Sequence, residues 1–453
     1  MNTEVIHYII RFLIGDESGN DQLLSRIGYT SKQSEMSRYS IVIRASNFFD
    51  SDIYGTDKAF PLLPLKEWEG VPLLFGEPTE ELLEESDTLL LNADIVASTY
   101  FLISRYEEMY RRKLRDIHGR FPGRESLPFK AGFLQRPVVD EYGAILRTKI
   151  RQMGWPVKDP VPHFSMVNLT HDVDEPFEYR GWRSFARALI KERKSPFKAF
   201  RLAYANPASD RFFTFPRFVD WDKILRSKMP DCCRIIFFFK APGKAPQDAP
   251  NYSLRKPLYQ SLRSLVKNNG IVIGLHSNYS AGLNPELIGK QRKRLMSDTD
   301  MAVDCNRHHY LAAREPEDMQ ALISAGIRHD YTMGYADVAG FRLGTSRPVR
   351  FIMPSTRRLT ELILHPLTLM DCTLHRQEYM GLDEATAIEL CKELLMHTFI
   401  HGGEATLLWH NEYLSRDIHP WHARLYREVL RLIETMEEKQ EEESFDYETA
   451  IDQ

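Results

Sequence analysis

Two aspartates separated by one residue close a short apolar segment near the middle of the chain. The segment reads Met166-Val-Asn-Leu-Thr-His-Asp-Val-Asp174, and Pro176 follows it. The apolar residues predict a buried strand over 166–169, and the proline predicts a turn. Because side chains two apart on a strand share a face, we expect Asp172 and Asp174 to converge, where a cation would relieve their repulsion. A helix N-cap or a turn is the other common use of such aspartates.

Other predicted strands also end at polar residues that suit catalysis. They run over 270–275, ending at His276, over 301–305, ending at Arg307-His-His-Tyr310, and over 406–409, ending at His410-Asn411. The carboxyl ends of parallel strands are where the catalytic groups of α/β barrels collect. An aspartate and two histidines with an open position form the ligand set of a catalytic divalent metal. Asp172 would then accept a proton from water, and His410 would donate one to a leaving amine.

Strands alternate with helices through the C-terminal two-thirds of the chain. A further strand is predicted over 233–240, which is rich in isoleucine and phenylalanine. Helices are predicted over 182–205, 252–268, 285–296, 316–325, 384–400 and 421–443. This alternation predicts a parallel sheet or barrel.

The N-terminal third shows no catalytic constellation and predicts a smaller α/β or α+β domain. Within it, residues 88–110 predict a strand that runs into an amphipathic helix with Asp94 as N-cap. We interpret the charged loop over 111–124 as solvated surface. The predicted division of the chain is an N-terminal domain of unknown role over 1–154, a proline-rich linker over 155–163, a barrel domain over 164–440 and an acidic tail over 441–453.

Composition and charge restrict the function classes. Hydrophobic residues make up 43% of the chain and charged residues 27%, which is typical of a globular protein. The formal net charge of −4 disfavours a nucleic-acid partner. The five cysteines form no CxxC pair, so neither a disulfide framework nor a cysteine zinc site is predicted. No apolar run reaches the ~18 residues needed to span a bilayer, and we expect a soluble cytoplasmic protein with no membrane span.

Five motifs of the C-terminal two-thirds together resemble the polysaccharide deacetylase family, the NodB homology domain of carbohydrate esterase family 4. Their order and spacing match that family over residues 165–415. The motifs are Thr170-His-Asp-Val-Asp174, Ile235-Ile-Phe-Phe-Phe239, His276-Ser-Asn-Tyr-Ser280, Arg307-His-His-Tyr310 and Leu408-Trp-His410. The chain looks most like a bacterial subgroup in which such a domain follows an N-terminal domain of unknown role.

The resemblance implies a distorted (β/α)7 barrel that removes acetyl groups from N-acetylated sugars or polysaccharides. It also implies a divalent metal, for which we expect zinc, with nickel or cobalt as alternatives. By resemblance, the residue roles are Asp172 as base, Asp174 and His276 as metal ligands, Arg307 as the group that orients the base, and His410 as acid.

The sequence departs from the family pattern at two positions. The first motif reads Asp-Val-Asp instead of adjacent aspartates, so the ligand role moves to Asp174. The second metal histidine of the family is replaced by Ser280, whose hydroxyl is a poor ligand. We expect His309 to supply the third ligand, because His308 would point to the opposite face of the strand. The alternatives are His308 or no third ligand.

Several further residues are candidates for contacting the substrate. They are Tyr310, Asp330, Asp337, Arg342, Trp409 and Asn411. For Arg342 the alternative is a structural ion pair with Asp330 or Asp337, and for Trp409 it is a place in the core instead of stacking on a sugar ring. A weaker candidate strand end lies at His365-Pro366 and Met370-Asp371.

Three kinds of function remain open at this point. The first is a metal-dependent hydrolase that cleaves the carbon–nitrogen bond of an N-acetylated sugar. The second is an O-acetyl esterase or a hydrolase of another linear amide. The third is an inactive deacetylase-like module that binds a glycan or a protein, and Ser280 is the residue that favours it.

Overall fold

The computed structural model describes residues 2–15, 21–415 and 417–451, and it describes side chains as far as residue 440. Within these ranges the chain forms a mixed α/β structure, as the alternating pattern predicts.

The N-terminal part contains a small sheet covered by short helices. Its strands are β1 (Ile27–Tyr29), β2 (Ile41–Ile43), β3 (Lys66–Trp68), β4 (Val71–Leu73), β5 (Gly76–Leu83) and β6 (Thr88–Ala93). Its helices are α1 (Thr3–Ile14), α2 (Asp21–Leu24), α3 (Gln33–Met36), α4 (Ile95–Ile103), α5 (Tyr106–Tyr110), α6 (Leu127–Lys130) and α7 (Val138–Gln152). The sheet order is β1-β2-β6-β5, and β3 pairs with β4 in a separate hairpin.

The junction between β6 and α4 confirms a prediction from the sequence. The side chain of Asp94 accepts a hydrogen bond from the backbone N–H of Ala97 at 2.8 Å, so it caps α4. Every residue of α4 is buried, because the helix lies between the small sheet and the rest of the molecule. The aspartate therefore closes a helix end that water does not reach.

The C-terminal part is built on a long curled sheet. Its strands are β7 (Met166–Val173), β8 (Cys233–Lys240), β9 (Val272–Ser277), β10 (Cys305–His308), β11 (His329–Met333), β12 (Val349–Met353), β13 (Arg358–Pro366), β14 (Leu369–Met370) and β15 (Glu404–Leu408). Its helices are α8 (Gly181–Ala186), α9 (Pro196–Tyr204), α10 (Phe215–Lys228), α11 (Gln260–Asn268), α12 (Tyr279–Leu283), α13 (Leu287–Thr299), α14 (Met319–Ser324), α15 (Asp371–His375), α16 (Glu384–Ile400) and α17 (His422–Ile451).

The strand order is β12-β13-β11-β10-β9-β8-β7-β15-β14, and all pairings except β12 with β13 are parallel. The sheet curls into a half-barrel, and within the described residues no pairing joins β12 to β14. Parallel strands bring their carboxyl ends to one edge of the sheet. That edge therefore holds the residues that follow β7, β9, β10, β14 and β15.

Several predicted boundaries differ from the observed ones. Strand β7 continues to Val173, so Asp172 lies inside the strand and Asp174 directly after it. The strand predicted over 301–305 is wrong, because β10 begins only at Cys305 and itself carries Arg307. The single helix predicted over 182–205 is also wrong. The chain there forms α8, a π-helical turn and α9, and α9 begins at Pro196, which cannot continue a preceding helix.

The two parts of the chain share one hydrophobic core. A continuous buried cluster includes residues of α1, α4 and α7 together with residues of β7, β12 and β13. Polar contacts cross the same boundary: the Tyr54 hydroxyl donates to the Pro354 carbonyl at 2.6 Å, and the Ser346 backbone N–H donates to Asp140 at 2.7 Å. The N-terminal part can therefore affect the position of groups in the C-terminal part.

Candidate active site

The predicted catalytic residues meet at the carboxyl edge of the curled sheet. Asp172 and Asp174 come from the end of β7, His276 from β9, His309 from the turn after β10, and His410 from the loop after β15. All five line one pocket of about 100 Å³. The strands position them because Asp172 and His276 lie inside strands and the other three lie within two residues of a strand end.

Asp174, His276 and His309 form a compact group of possible metal ligands. The Oδ1 atom of Asp174 lies 3.3 Å from Nε2 of His276 and 3.2 Å from Nε2 of His309. One ligand atom from each of the three residues lies within 4.8 Å of the others. Despite this proximity, neither Asp174 Oδ1 nor His276 Nε2 makes a hydrogen bond within the described residues. Unsatisfied buried atoms of this type fit coordination of a cation.

The ring of His276 is held with one nitrogen free for coordination. Its Nδ1 lies 2.9 Å from the backbone carbonyl of Arg307 and donates a hydrogen bond to it in the tautomer that carries the proton on Nδ1. The Nε2 atom is then left without a proton and faces Asp174. Proteins commonly orient a metal-binding histidine by a hydrogen bond from the ring nitrogen that does not bind the metal.

The charge balance of this group also suits a cation. Burial raises the pKa of the Asp174 carboxyl, but His309 and Lys240 outweigh burial and hold that pKa well below its usual range. Burial lowers the pKa of His309 against the opposing charge of Asp174, which favours the neutral imidazole that a metal requires. The Nζ atom of Lys240 lies 3.9 Å from Asp174 Oδ1 at the end of β8. No role was predicted for this lysine, although it ends a predicted strand like the other site residues.

Asp172 is oriented by a buried arginine. Its Oδ1 accepts a hydrogen bond from Nη1 of Arg307 at 2.9 Å, while its Oδ2 lies 3.4 Å from Nε2 of His276. Arg307 is fully buried and also donates to the Thr170 hydroxyl and the Tyr331 carbonyl. One carboxylate oxygen is thus fixed to the arginine, and the other is turned to the possible metal ligands.

His410 is paired with an aspartate that the sequence analysis assigned only to a weak strand end. Asp371 follows β14, and its Oδ1 lies 2.8 Å from His410 Nδ1, while its Oδ2 accepts from the His410 backbone N–H at 2.6 Å. Burial lowers the pKa of His410, but Asp371 outweighs burial and raises it to about 10. The imidazole is therefore protonated at neutral pH. Its Nε2 lies 3.8 Å from Asp174.

A second acidic residue beside His410 was missed. Glu412 is partly buried, and desolvation raises its pKa to about 7, against the opposing charge of His410. Its Oε2 atom has no hydrogen-bond partner within the described residues. The only signal in the sequence is its position two residues after a predicted catalytic histidine.

Ser280 is engaged away from the possible ligands. Its hydroxyl donates to Asp248 and accepts from the backbone N–H groups of Lys244 at 3.1 Å and Ala245 at 3.0 Å. The serine therefore anchors the loop after β8. His309 lies where the sequence analysis expected a replacement ligand. His308 points to the other face of β10, where it contacts Asn306 and Thr332.

Tyr310 lines the pocket, and its backbone conformation is unusual. Tyr310 and Leu311 have φ angles of 62° and 53°, in the left-handed region, which costs about 1–2 kcal/mol for each non-glycine residue. This turn lets His309 face Asp174 while Tyr310 lies at the pocket wall.

The N-terminal part contributes a residue to this pocket, which corrects the interpretation of loop 111–124 as solvated surface. Arg120 is 8% exposed and lines the pocket. It donates to Asp116 at 2.7 Å and to the Tyr310 carbonyl at 2.9 Å. Arg115 is similarly held, by a 2.9 Å ion pair with Glu315. The sequence could not reveal the contacts with Tyr310 and Glu315, which lie 190 and 200 positions away from Arg120 and Arg115.

Trp409 and Asn411, which the sequence predicts to contact the substrate, do not line the pocket. The Trp409 ring is fully buried and packs 5.0 Å from the Tyr426 ring. The Asn411 side chain is fully buried and donates to the carbonyls of Glu175 and Phe212. Both residues follow β15, but their side chains point away from the pocket.

Arg342, Asp330 and Asp337, also predicted to contact the substrate, do not line the pocket either. Arg342 is buried against Glu108 of the N-terminal part, with contacts of 2.9 and 2.7 Å, and not against either aspartate. Asp330 accepts from Asn306 and Thr332. Asp337 accepts from the backbone of Gly123 and Arg124, so it fixes the loop from the N-terminal part.

Comparison with known proteins finds a family match over the N-terminal part, which contributes Arg120 to this pocket. Residues 2–155 match a family of unknown function, DUF7033. Neither the curated proteins nor the solved structures contain a match to this chain. Among the helices that are described, none is both long enough and apolar enough to cross a membrane.

Proposed function

We propose that this protein is a metal-dependent hydrolase that removes the acetyl group from an N-acetylated sugar or polysaccharide. The observation that carries the proposal is the meeting of three units in one pocket. They are the ligand group Asp174-His276-His309, the pair Asp172–Arg307 and the pair His410–Asp371. In this proposal the curled sheet corresponds to the distorted (β/α)7 barrel of the deacetylase family.

The ligand group offers one carboxylate oxygen and two imidazole nitrogens, which suits zinc, nickel or cobalt. When bound, such a metal would acidify water and polarise the substrate carbonyl. Ser280 is not required, because His309 completes a group of three donors. The backbone N–H near Tyr310 is the proposed donor to the developing oxyanion.

The remaining steps use side chains of this chain. Asp172 accepts a proton from water as the water oxygen bonds to the acetyl carbon. Arg307 keeps one oxygen of Asp172 fixed, so that the other receives the proton. His410 then donates its proton to the amide nitrogen as the carbon–nitrogen bond breaks, giving acetate and a free amine. The buried contact with Asp371 keeps His410 protonated until that step.

Acetate release from N-acetylglucosamine oligomers tests the proposal. We expect metal-loaded protein to release acetate, and His410→Gln to lower the rate by about 10²–10⁴-fold. The same variant should lose less activity on 4-nitrophenyl acetate, because that leaving group needs no proton. His7→Gln, at an exposed histidine, is the matched control.

One observation favours the rival reading of an inactive binding module. Ser280 is committed to the loop after β8, so the ligand arrangement differs from that of the resembled family. If metal-loaded protein releases no acetate from N- or O-acetylated sugars but binds the oligomers in calorimetry, the pocket is a binding site and the hydrolase proposal fails.

A further inference from the structure

Three histidines converge outside the pocket. His375 is the last residue of α15, His422 is the first residue of α17, and His419 lies in the loop before α17. Their ring centroids are 4.4 Å apart for His375 and His422, 5.0 Å for His419 and His422, and 5.6 Å for His375 and His419. One nitrogen from each ring lies within 4.8 Å of the others. None of the three lines the pocket of the candidate active site.

The innermost of these rings has unsatisfied nitrogens. His422 is 0% exposed, and neither Nδ1 nor Nε2 has a hydrogen-bond partner within the described residues. A neutral imidazole carries one donor and one acceptor, and leaving a buried polar group unpaired costs about 1–3 kcal/mol. The Trp421 ring stacks on His422 at 4.1 Å and covers one face. The rings of His375 and His419 also lie against His422, at 4.4 and 5.0 Å, and a ligand shared by all three would satisfy its unpaired nitrogen.

The protonation state of the cluster suits a metal and not a proton. Burial lowers the pKa of His422 to about 3, and burial also lowers the pKa of His419. Both rings are therefore neutral at neutral pH, as coordination requires. The negative charge of Asp371 raises the pKa of both His419 and His422, and it would offset part of the charge of a bound cation. The positive charge of Arg376 opposes this effect at His419.

We propose that His375, His419 and His422 form a second metal site, which binds a divalent transition metal such as zinc. An all-imidazole set favours zinc, copper, nickel or cobalt over magnesium or calcium, which prefer oxygen ligands. His375 and His419 are partly exposed, so water can fill the remaining coordination position.

The role of this site is structural. A metal there would join the end of α15 to the start of α17 and the loop just before it, which lie far from α15 in the sequence. Helix α15 begins at Asp371, and Asp371 holds both the ring and the backbone N–H of His410. The second metal would thus stabilise the helix that positions the proposed acid, although the inference stands on its own geometry and not on the proposed function.

Zinc binding to full-length variants tests the inference. Asp174→Ala/His276→Ala removes the first ligand group, and we expect this protein to keep about one equivalent of zinc by elemental analysis. Adding His375→Gln and His419→Gln should weaken zinc binding by more than about 100-fold, since removing even supporting contacts costs 10–100-fold. His7→Gln/His397→Gln in the same background is the matched control. Circular dichroism verifies that each variant is folded.

Two outcomes would overturn the second site. One is that Asp174→Ala/His276→Ala takes up no zinc even in excess metal. The other is that zinc binding is equal with and without His375 and His419. If a variant of the first group does not fold, Asp174→Asn replaces it. A complementary readout is thermal unfolding, in which zinc should raise the Tm only when the three histidines are present. If Asp174, His276 and His309 bind no metal in the unmutated protein, the proposed function is contradicted and this inference stays intact.

Discussion

Two buried arginine–carboxylate pairs in this protein differ in what the carboxylate has left to offer. In the pair Arg307–Asp172, one oxygen accepts from the arginine and the other faces His276 in the pocket. In the pair Arg342–Glu108, both oxygens accept from Arg342, and Arg105 adds further contacts. The first pair keeps an oxygen for chemistry, whereas the second is saturated and joins the two parts of the chain. The sequence made both arginines candidates for a functional role, and both are buried and paired with a carboxylate. Burial and pairing alone therefore do not distinguish a catalytic pair from a structural one.

The largest effect is expected at the pair that faces the pocket. Asp172→Asn removes the proposed base, so the rate of acetate release should fall by about 10²–10⁴-fold. Metal content and Tm should change little, because the amide keeps an oxygen for Arg307. Asp231→Asn, at an exposed aspartate, is the control. A variant that keeps full activity would place Asp172 with the structural pairs.

For the pair Arg342–Glu108 we expect the opposite result, a loss of stability with little loss of activity. Glu108→Gln leaves two buried arginines without a carboxylate, and breaking a buried pair costs about 3–5 kcal/mol. Chemical denaturation should show this loss in the free energy of unfolding, while the folded fraction keeps its activity. Glu361→Gln, in an exposed pair with Arg350, should change stability little. Loss of activity without loss of stability would mean that Glu108 serves the reaction and not the junction between the two parts of the chain.

The sequence could predict one of these pairs and not the other. Asp172, His276, Arg307 and His410 each follow an apolar segment, and parallel strands bring such ends together. His309 was predicted from its place beside β9. Glu108 and Arg342 are 234 positions apart, and no local sequence pattern predicts their contact.

The fold was predicted in the same uneven way. The strands with strong apolar patterns and the cap at Asp94 follow from local sequence. Within strands β11 to β14, the sequence indicates only two weak strand ends, at His365-Pro366 and Met370-Asp371. As a result Asp371, the partner of His410, was recognised merely as a weak strand end.

A smaller effect of Glu108 should appear in acid. Burial raises the pKa of Glu108, but Arg105 and Arg342 outweigh burial and lower it to about 2, from an ordinary value of 4.5. Because the folded pKa is the lower one, the unfolded chain binds more protons between these values. The stabilisation is therefore complete above pH 4.5 and is lost as pH falls toward 2. Denaturation across this range should show a shallower acid decline for Glu108→Gln than for wild type; equal slopes would refute the assignment.

The smallest effect is expected where the N-terminal part reaches the pocket. Arg120→Ala removes the donor to the Tyr310 carbonyl, which should loosen the pocket wall. We expect KM to rise by about tenfold, equivalent to about 1.4 kcal/mol, with kcat less affected. Lys113→Ala, at an exposed position of the same loop, is the control. An unchanged KM would mean that the N-terminal part does not influence the site.

Metal stoichiometry tests the central claim most directly. Protein carrying His375→Gln/His419→Gln, purified without chelator, isolates the first ligand group from the second. We expect it to hold about one equivalent of zinc, nickel or cobalt, and to lose it when Asp174→Ala is added. Equal metal content with and without Asp174, or none in either protein after incubation with excess metal, would contradict a metal centre formed by Asp174, His276 and His309.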